Sequence, residues 1–198
     1  MASSALVFSL VFLCSCVSVG TKFPIPTADQ LAFGKMTADE ALVKFGHPRD
    51  FWSKTTTNGT YILYTYIYGQ ADLSKASWRI LLLEFRDGEL NGYIGASTFS
   101  NDKTKFNPAI VNQLKDGVGK LTRDDVVNLV GQPSGKALCP SILKDFKDSC
   151  DKNTEIWGWL MSDNTDLWIR REGSVSELRV AFDANGKISD VELIQNTD

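Results

Sequence analysis

The side chains best suited to covalent or metal chemistry in this chain are its four cysteines and its single histidine. Cys14 and Cys16 lie close together near the N-terminus, whereas Cys139 and Cys150 lie in the second half. No further cysteine pair accompanies Cys139 and Cys150 in the second half, and the chain has one histidine, His47. These are too few ligands for a tetrahedral zinc site. We therefore expect neither a metal nor a cofactor.

Acid, base and nucleophilic groups are also sparse. His47 stands between a glycine and a proline that end a predicted helix, and the acidic pairs Asp39-Glu40 and Asp124-Asp125 are explained as residues of a helix start. The sequence contains no G-x-S-x-G elbow, no S-x-x-K motif with its usual companions, no phosphate loop and no dinucleotide fingerprint. We expect a protein that is not an enzyme and has no catalytic residues.

The composition is that of an ordinary globular protein. The chain has 198 residues, of which 43% are apolar and 23% charged, so one large domain or two small ones would fit. A net charge of -3 provides no basic surface for a phosphate backbone. Nucleic acid is therefore excluded as an expected partner.

The N-terminal residues have the pattern of an export signal. Ala5 to Leu13 is an apolar run that is too short to span a bilayer but long enough for a signal-peptide core. Leu13-Cys14-Ser15-Cys16 resembles a lipobox, which predicts that residues 1–15 are removed and that Cys16 receives a lipid. Residues 16–26 are then a tether. The alternative is a plain secretory peptide that is cut after Gly20.

Export determines what we expect of the remaining cysteines. If Cys14 leaves with the signal and Cys16 carries a lipid, Cys139 and Cys150 remain as a pair in an oxidising compartment. There a disulfide is the expected state.

An internal repeat organises the rest of the chain. Residues 34–48 and 119–133 match without a gap, with Gly, Lys, Thr, Asp, Gly and Pro in register. Thr37 and Thr122 occupy N-cap positions, and an acidic residue follows three positions later, as in a capping box. A glycine and then a proline end each helix, which gives helices of about nine residues.

Strand-like segments follow each repeated helix, and a further helix is predicted before it. These helices are Thr27 to Phe33 and Asn107 to Leu114. The predicted strands are Tyr61 to Tyr68, Trp78 to Phe85, Leu90 to Ala96, Glu155 to Met161, Asp166 to Arg171, Ser176 to Phe182 and Lys187 to Ile194. The sequence thus predicts an α+β fold of two tandem helix-helix-antiparallel-sheet repeats, at residues 27–105 and 106–198.

The repeated pattern resembles a known family. G-K-[ML]-T-x-[DE]-[DE]-x(5)-G-x-P, with aromatic strands and the closing Phe182-Asp183-Ala184-Asn185-Gly186-Lys187-Ile188, resembles the SmpA/OmlA or BamE-like lipoprotein domain. Its use in tandem is similar to the fold of the β-lactamase inhibitor protein (BLIP-like). The resemblance implies a lipoprotein on the periplasmic face of the outer membrane that acts by contact with other envelope proteins.

Aromatic side chains are the candidate partner-binding residues. Alternation along a strand places Tyr64, Tyr66 and Tyr68 on one face, and Trp157 and Trp159 on another shared face. Tyrosine and tryptophan are favoured at protein interfaces. The alternative is that these residues line the core between the sheet and the helices.

Three functions follow from these observations. The first is a scaffold or binding module in outer-membrane protein assembly. The second is an inhibitor or sensor that binds an envelope enzyme through a concave sheet face. The third, more distant, is an envelope enzyme of an unrecognised type.

Overall fold

A computed structural model describes residues 17–71, 76–102, 106–143, 150, 154–162 and 175–196. Cys16 and the predicted strand Asp166 to Arg171 lie outside the described residues. No helix within the described part of the chain is long and apolar enough to cross a membrane.

The described residues form an α+β fold of three α-helices and one antiparallel sheet, so the predicted α+β class is confirmed. The helices are α1 (Ala38–Phe45), α2 (Ile110–Asp116) and α3 (Arg123–Val130). The strands are β1 (Val17–Val19), β2 (Asp50–Thr56), β3 (Gly59–Ala71), β4 (Ala76–Arg86), β5 (Glu89–Ser97), β6 (Gly135–Leu138), β7 (Glu155–Ser162), β8 (Val175–Phe182) and β9 (Ile188–Asn196).

The strands are ordered β1-β3-β4-β5-β6-β7-β8-β9, and β2 pairs with β3 on the same side as β1. The sheet is continuous because Gly92 to Ile94 of β5 pair with Gly135 to Ala137 of β6. Two edges result, β2 with β1 at one end and β9 at the other. One sheet therefore runs through both halves of the sequence.

The two repeated helices begin as the sequence predicts. Thr37 and Glu40 form a capping box, in which the Thr37 amide donates to the Glu40 carboxylate at 2.8 Å and the Glu40 amide to the Thr37 hydroxyl at 3.2 Å. Thr122 and Asp125 form the same pair of bonds at 2.8 and 3.4 Å. These bonds satisfy amides that have no partner inside a helix.

The other two predicted helices differ from the structure. Residues 28–35 form turns rather than a helix, because Ala32 adopts a left-handed conformation with φ of 45°. α2 begins at Ile110 instead of Asn107, since the Asn107 side chain accepts a bond from the Ala109 amide and holds a turn before the helix.

The predicted tether is mostly part of the fold. Val17–Val19 pair with Gly69–Ala71, and Phe23 is buried in the core, where its carbonyl accepts a bond from the Arg79 guanidinium at 2.8 Å. Burial of the apolar Phe23 ring removes it from water and so stabilises the fold. Residues 17–26 are thus packed on the sheet and are not a free spacer.

Two cores lie between the sheet and the helices. The first is formed under α1 by residues of β3, β4 and β5 with Leu31, Met36 and Ala41. The second is formed under α2 and α3 by residues of β7, β8 and β9 with Val111 and Val126. Both cores lie on the same face of the sheet, which we call the helix-covered face.

Candidate functional site

The five aromatic residues predicted to bind a partner lie on the helix-covered face. Tyr66 and Tyr68 are buried in the first core with Tyr64 packed against it, and Trp157 and Trp159 are buried in the second. Large aromatic rings fill the space beneath short helices. These residues line the core, which was the alternative interpretation of the sequence. A residue that binds a partner needs an exposed side chain, but four of the five are buried and Tyr64 is partly buried.

Their polar atoms are also used internally. The Tyr66 hydroxyl donates to the Gly46 carbonyl at 3.2 Å, and the Trp159 indole N–H donates to the Gly131 carbonyl at 3.1 Å. Burial, with Tyr64 nearby, raises the pKa of Tyr66 to about 12. Each bond fastens the C-terminal end of a repeated helix to the sheet, which is a structural function.

The opposite face of the sheet carries many apolar side chains. Strand register places Leu63 and Ile67 of β3 on this face, together with Ile80 and Leu82 of β4 and Ile94 of β5. All five are partly rather than fully buried. The apolar cluster on this side contains no helix residue within the described chain. We call this side the open face.

A disulfide-bonded segment covers the middle of the open face. Cys139 and Cys150 are joined, with their Cα atoms 5.3 Å apart, as the sequence predicts. Leu143 is buried there in one cluster with Ala137 and Ile156. Residues 138–143 with Cys150 therefore form a covering layer where no described helix does so, and we call them the cover segment.

A buried carboxylate holds the cover segment on β4. Glu84 is fully buried, and one of its carboxylate oxygens accepts bonds from the Ser141 hydroxyl at 2.9 Å and from the amides of Ile142 and Leu143 at 2.8 and 2.9 Å. Its other oxygen accepts a bond from Asn91. A carboxylate with four donors is satisfied despite its burial, so its function is to fix the segment.

A β-bulge brings Asn91 into this network. The register between β4 and β5 shifts at Glu84/Phe85, so that Asn91 has no partner opposite it. Its amide group also donates to the carbonyls of Leu138 and Pro140 at 3.0 and 3.1 Å. Bulges commonly redirect a side chain at a functional position. Here the bulge directs an amide to the backbone of the cover segment.

A groove remains between the cover segment and the edge of the sheet. It has a volume of about 430 Å³ and is lined by Trp52, Lys54, Tyr61, Pro140 and Ile142, among others. The Trp52 side chain is 46% exposed. We call this cavity the Trp52 groove.

One wall of the Trp52 groove is a sheet edge. Every residue of β2 except Thr56 is exposed, and the Phe51 side chain on the opposite side of the strand is 74% exposed. β2 pairs with β3 alone among the described strands, so its outer backbone groups can pair with an added strand. The groove thus combines an exposed indole, a lysine and an available backbone edge.

The groups at this site are suited to binding rather than to turnover. Lys54 offers a charge, and the half-exposed ring of Trp52 offers apolar area and an indole N–H. The Tyr61 ring is buried in the wall of the groove. His47 lies elsewhere, in a cleft with Phe45 and Tyr66. Within the described residues no three His, Cys, Asp or Glu side chains come together as a metal site.

The sequence offered a signal for this site that the strand assignment missed. β2 and β3 form a hairpin whose turn contains Asn58, directly before Gly59 with φ of 124°. Asn-Gly between β-branched residues is a strong hairpin signal. It would have predicted β2, and with it the exposed Trp52. Nothing local predicts that Glu84 is bound by a segment 57 positions away.

Comparison with known proteins gives one related structure. No protein-family model matches the chain, and no curated protein matches it. Its structure is similar to the crystal structure of a "putative beta-lactamase inhibitor protein" from Streptococcus mutans, with a TM-score of 0.44 and 14% sequence identity over 80% of this chain and 82% of that chain. Membership of the SmpA/OmlA family stays a prediction.

Proposed function

We propose that this protein is a non-enzymatic, extracytoplasmic binding module that contacts a partner protein through the Trp52 groove. The observation that carries the proposal is a half-exposed tryptophan at the mouth of a cavity whose opposite wall is held by Glu84 and a disulfide. Binding energy at interfaces is concentrated in a few tryptophan, tyrosine and arginine residues. Trp52 supplies such a residue here, since its side chain is 46% exposed.

The wall of the groove is arranged in advance of binding. Four hydrogen bonds reach the Glu84 carboxylate, and the Tyr61 hydroxyl donates to the Pro140 carbonyl at 3.3 Å. A surface that needs no ordering on association loses less free energy when it binds. A partner with an extended segment can also pair with β2 while it places side chains in the groove.

Location outside the cytoplasm is supported by the disulfide, because such bonds persist in oxidising compartments. We further propose that Cys16 carries a lipid and that the protein faces the periplasm from the outer membrane. Mass spectrometry of the mature chain tests this proposal. A Cys16→Ala variant should lose the lipid and leave the membrane, whereas an unmodified Cys16 would reject the anchor.

The two halves are proposed to be tandem repeats with boundaries at residues 27–105 and 106–198. Equivalent contacts support this proposal. Gly34 donates to the Leu90 carbonyl at 3.1 Å, and Gly119 donates to the Ile188 carbonyl at 2.8 Å. Thr37 forms an isolated bridge to Glu89 at the start of β5, and Thr122 forms one to Lys187 directly before β9.

Site-specific photocrosslinking tests the binding surface. A photoreactive amino acid at position 52 should capture a partner, whereas the same residue at position 43 should not. Val43 is a matched control because it is 90% exposed on α1, on the other side of the sheet. Equal capture from both positions would contradict the Trp52 groove.

The captured protein separates the two proposed functions. Subunits of a barrel-assembly complex would support the scaffold function, and a single envelope enzyme would support the inhibitor or sensor function. Once the captured protein is known, a Trp52→Ala substitution in the unlabelled chain should weaken its binding by about 2 kcal/mol or more if this residue is a principal contact. Unchanged binding by this variant, measured by calorimetric titration, would place the interface elsewhere.

A further inference from the structure

A second cavity lies at the other end of the open face. It has a volume of about 290 Å³ and its lining is almost entirely apolar. We call it the anchor groove. The residues that line it are Val19, Arg49, Ile67, Gly69, Gln70, Ala71, Ala76, Ser77 and Trp78.

Strand register places the anchor groove beside the N-terminal end of the described chain. Val17 pairs with Ala71 and Val19 pairs with Gly69, so β1 enters the sheet where β3 ends. Val19 itself is 56% exposed. Cys16 comes immediately before Val17 and three positions before Val19, a separation that an extended chain covers in about 10 Å.

Trp78 adds a polar group to this apolar cavity. Its indole N–H is buried, and it has no hydrogen-bond acceptor among the described residues. Buried donors are nearly always paired in native proteins, and an exception calls for an explanation. An ester or amide carbonyl of a bound lipid is an acceptor of the right kind.

We propose that the anchor groove holds a fatty-acyl chain attached at Cys16. The proposal rests on the lipid anchor that is part of the proposed function. An apolar cavity favours a hydrocarbon chain over water. Val17–Val19, which follow Cys16 in the sequence, pair with β3 at this groove. With one acyl chain in the groove, the end of the sheet at Ala71 and Ala76 faces the membrane and the Trp52 groove points away from it.

Palmitate is the probe that tests the groove. A mature chain of residues 16–198 with Cys16→Ser carries no lipid, so its groove is empty and should bind palmitate in a saturable, one-to-one manner. The lipidated protein should bind palmitate at least about tenfold more weakly, because its own acyl chain occupies the site. Isothermal titration calorimetry measures both.

Two variants of the unlipidated chain locate the bound palmitate. Ala76→Trp should fill the cavity and abolish binding, and Trp78→Phe should weaken binding about two- to tenfold through loss of one hydrogen bond. Val43→Asn lies on α1, across the sheet from the anchor groove, and should bind palmitate normally. Thermal unfolding checks that each variant is folded, and Ile67→Lys serves as a second blocking variant if Ala76→Trp is not.

The outcomes distinguish this inference from the proposed anchor. A lipid on Cys16 with no saturable binding of palmitate to the unlipidated chain would overturn the inference and leave the anchor in place. Equal binding by the chain with Ala76→Trp would also overturn it. An unmodified Cys16 would overturn the anchor and the inference together.

Discussion

The two halves of the molecule are alike on one face of the sheet and different on the other. On the helix-covered face each half has a capped helix whose C-terminal glycine accepts a bond from a core aromatic residue, Tyr66 in the first half and Trp159 in the second. Both halves also have a β-bulge at the same place, between β4 and β5 and between β8 and β9. These features build the cores and are the same in both halves.

The open face is where the halves differ. In the first half the bulge brings the Asn91 side chain within hydrogen-bond distance of the Glu84 carboxylate. Both side chains also bond to the cover segment. The equivalent positions in the second half are Ala181 and Ser189. A small apolar residue in place of Glu84 cannot accept the four bonds that fix a segment over the sheet. The cover segment, although it follows α3, is therefore held over β4.

The outer strands of the two halves also differ, in the side chains that they expose. β2 presents exposed Phe51 and Trp52 at one edge, whereas β9 presents exposed Asp190 and Glu192 at the other. β2 also carries the exposed charges of Asp50 and Lys54, so the two edges differ in the aromatic side chains and not in the presence of charge. The halves therefore share the features of their cores and differ in the apolar area at their outer strands.

The largest expected effect concerns the shared core. Trp159→Ala should reduce the free energy of unfolding by about 3 to 5 kcal/mol, because it removes a fully buried indole and leaves a cavity. Denaturant unfolding measures this change. Trp52→Ala is the matched substitution on the open face and should cost only about 1 kcal/mol, because about half of its side chain is exposed. If the two substitutions cost the same, the contrast between core and open face is wrong.

The next largest effect concerns the disulfide of the cover segment, which only one half of the molecule has. Replacing Cys139 and Cys150 together by serine should destabilise the fold by about 3 kcal/mol, the loop-closure value for a separation of 11 residues. It should also reduce crosslinking at Trp52, because the wall of the groove loses a restraint. Denaturant unfolding and photocrosslinking report the two effects. Unchanged stability would mean that the hydrogen bonds of Glu84, Asn91 and Tyr61 hold the cover segment without the disulfide.

A smaller effect tests the equivalence of the two helix starts. Thr37→Ala and Thr122→Ala should each cost about 1 kcal/mol, since each removes the side chain of an N-cap. The two losses should agree within the error of denaturant unfolding. A large loss at one position with none at the other would show that the helices are not equivalent in energy.

The sequence predicted what depends on local chemistry. The capping residues Thr37 and Thr122, the glycines that end α1 and α3 and the alternation along β3 all act over a few residues, and the structure agrees with them. The α+β class followed from these elements. The cysteine pair was predictable because the predicted export signal and lipidation of Cys16 would leave Cys139 and Cys150 as the two thiols for one bond.

The remaining features depend on distant contacts. Whether Tyr66 faces a helix or solvent is decided by which face the helices cover, and β3 is apolar on both sides. The open face is apolar because the cover segment lies on it, which no local pattern shows. From the sequence alone, Glu84 is expected to be an exposed charge. Its burial is explained only by its four hydrogen-bond donors, three of which belong to the distant cover segment. The candidate site was therefore the least predictable part of the molecule.

The smallest effect is expected when a surface residue of the first half is replaced by its counterpart from the second half. Val43 is 90% exposed on α1, and the repeat places Asn128 of α3 at the equivalent position. Valine and asparagine have similar helix propensities, so Val43→Asn should change the free energy of unfolding by less than about 0.5 kcal/mol. Crosslinking at Trp52 should stay the same, because Val43 lies across the sheet from the groove. A loss above about 1 kcal/mol, or a loss of partner capture, would mean that the outer side of α1 is an interface too, and that the halves differ on both faces of the sheet.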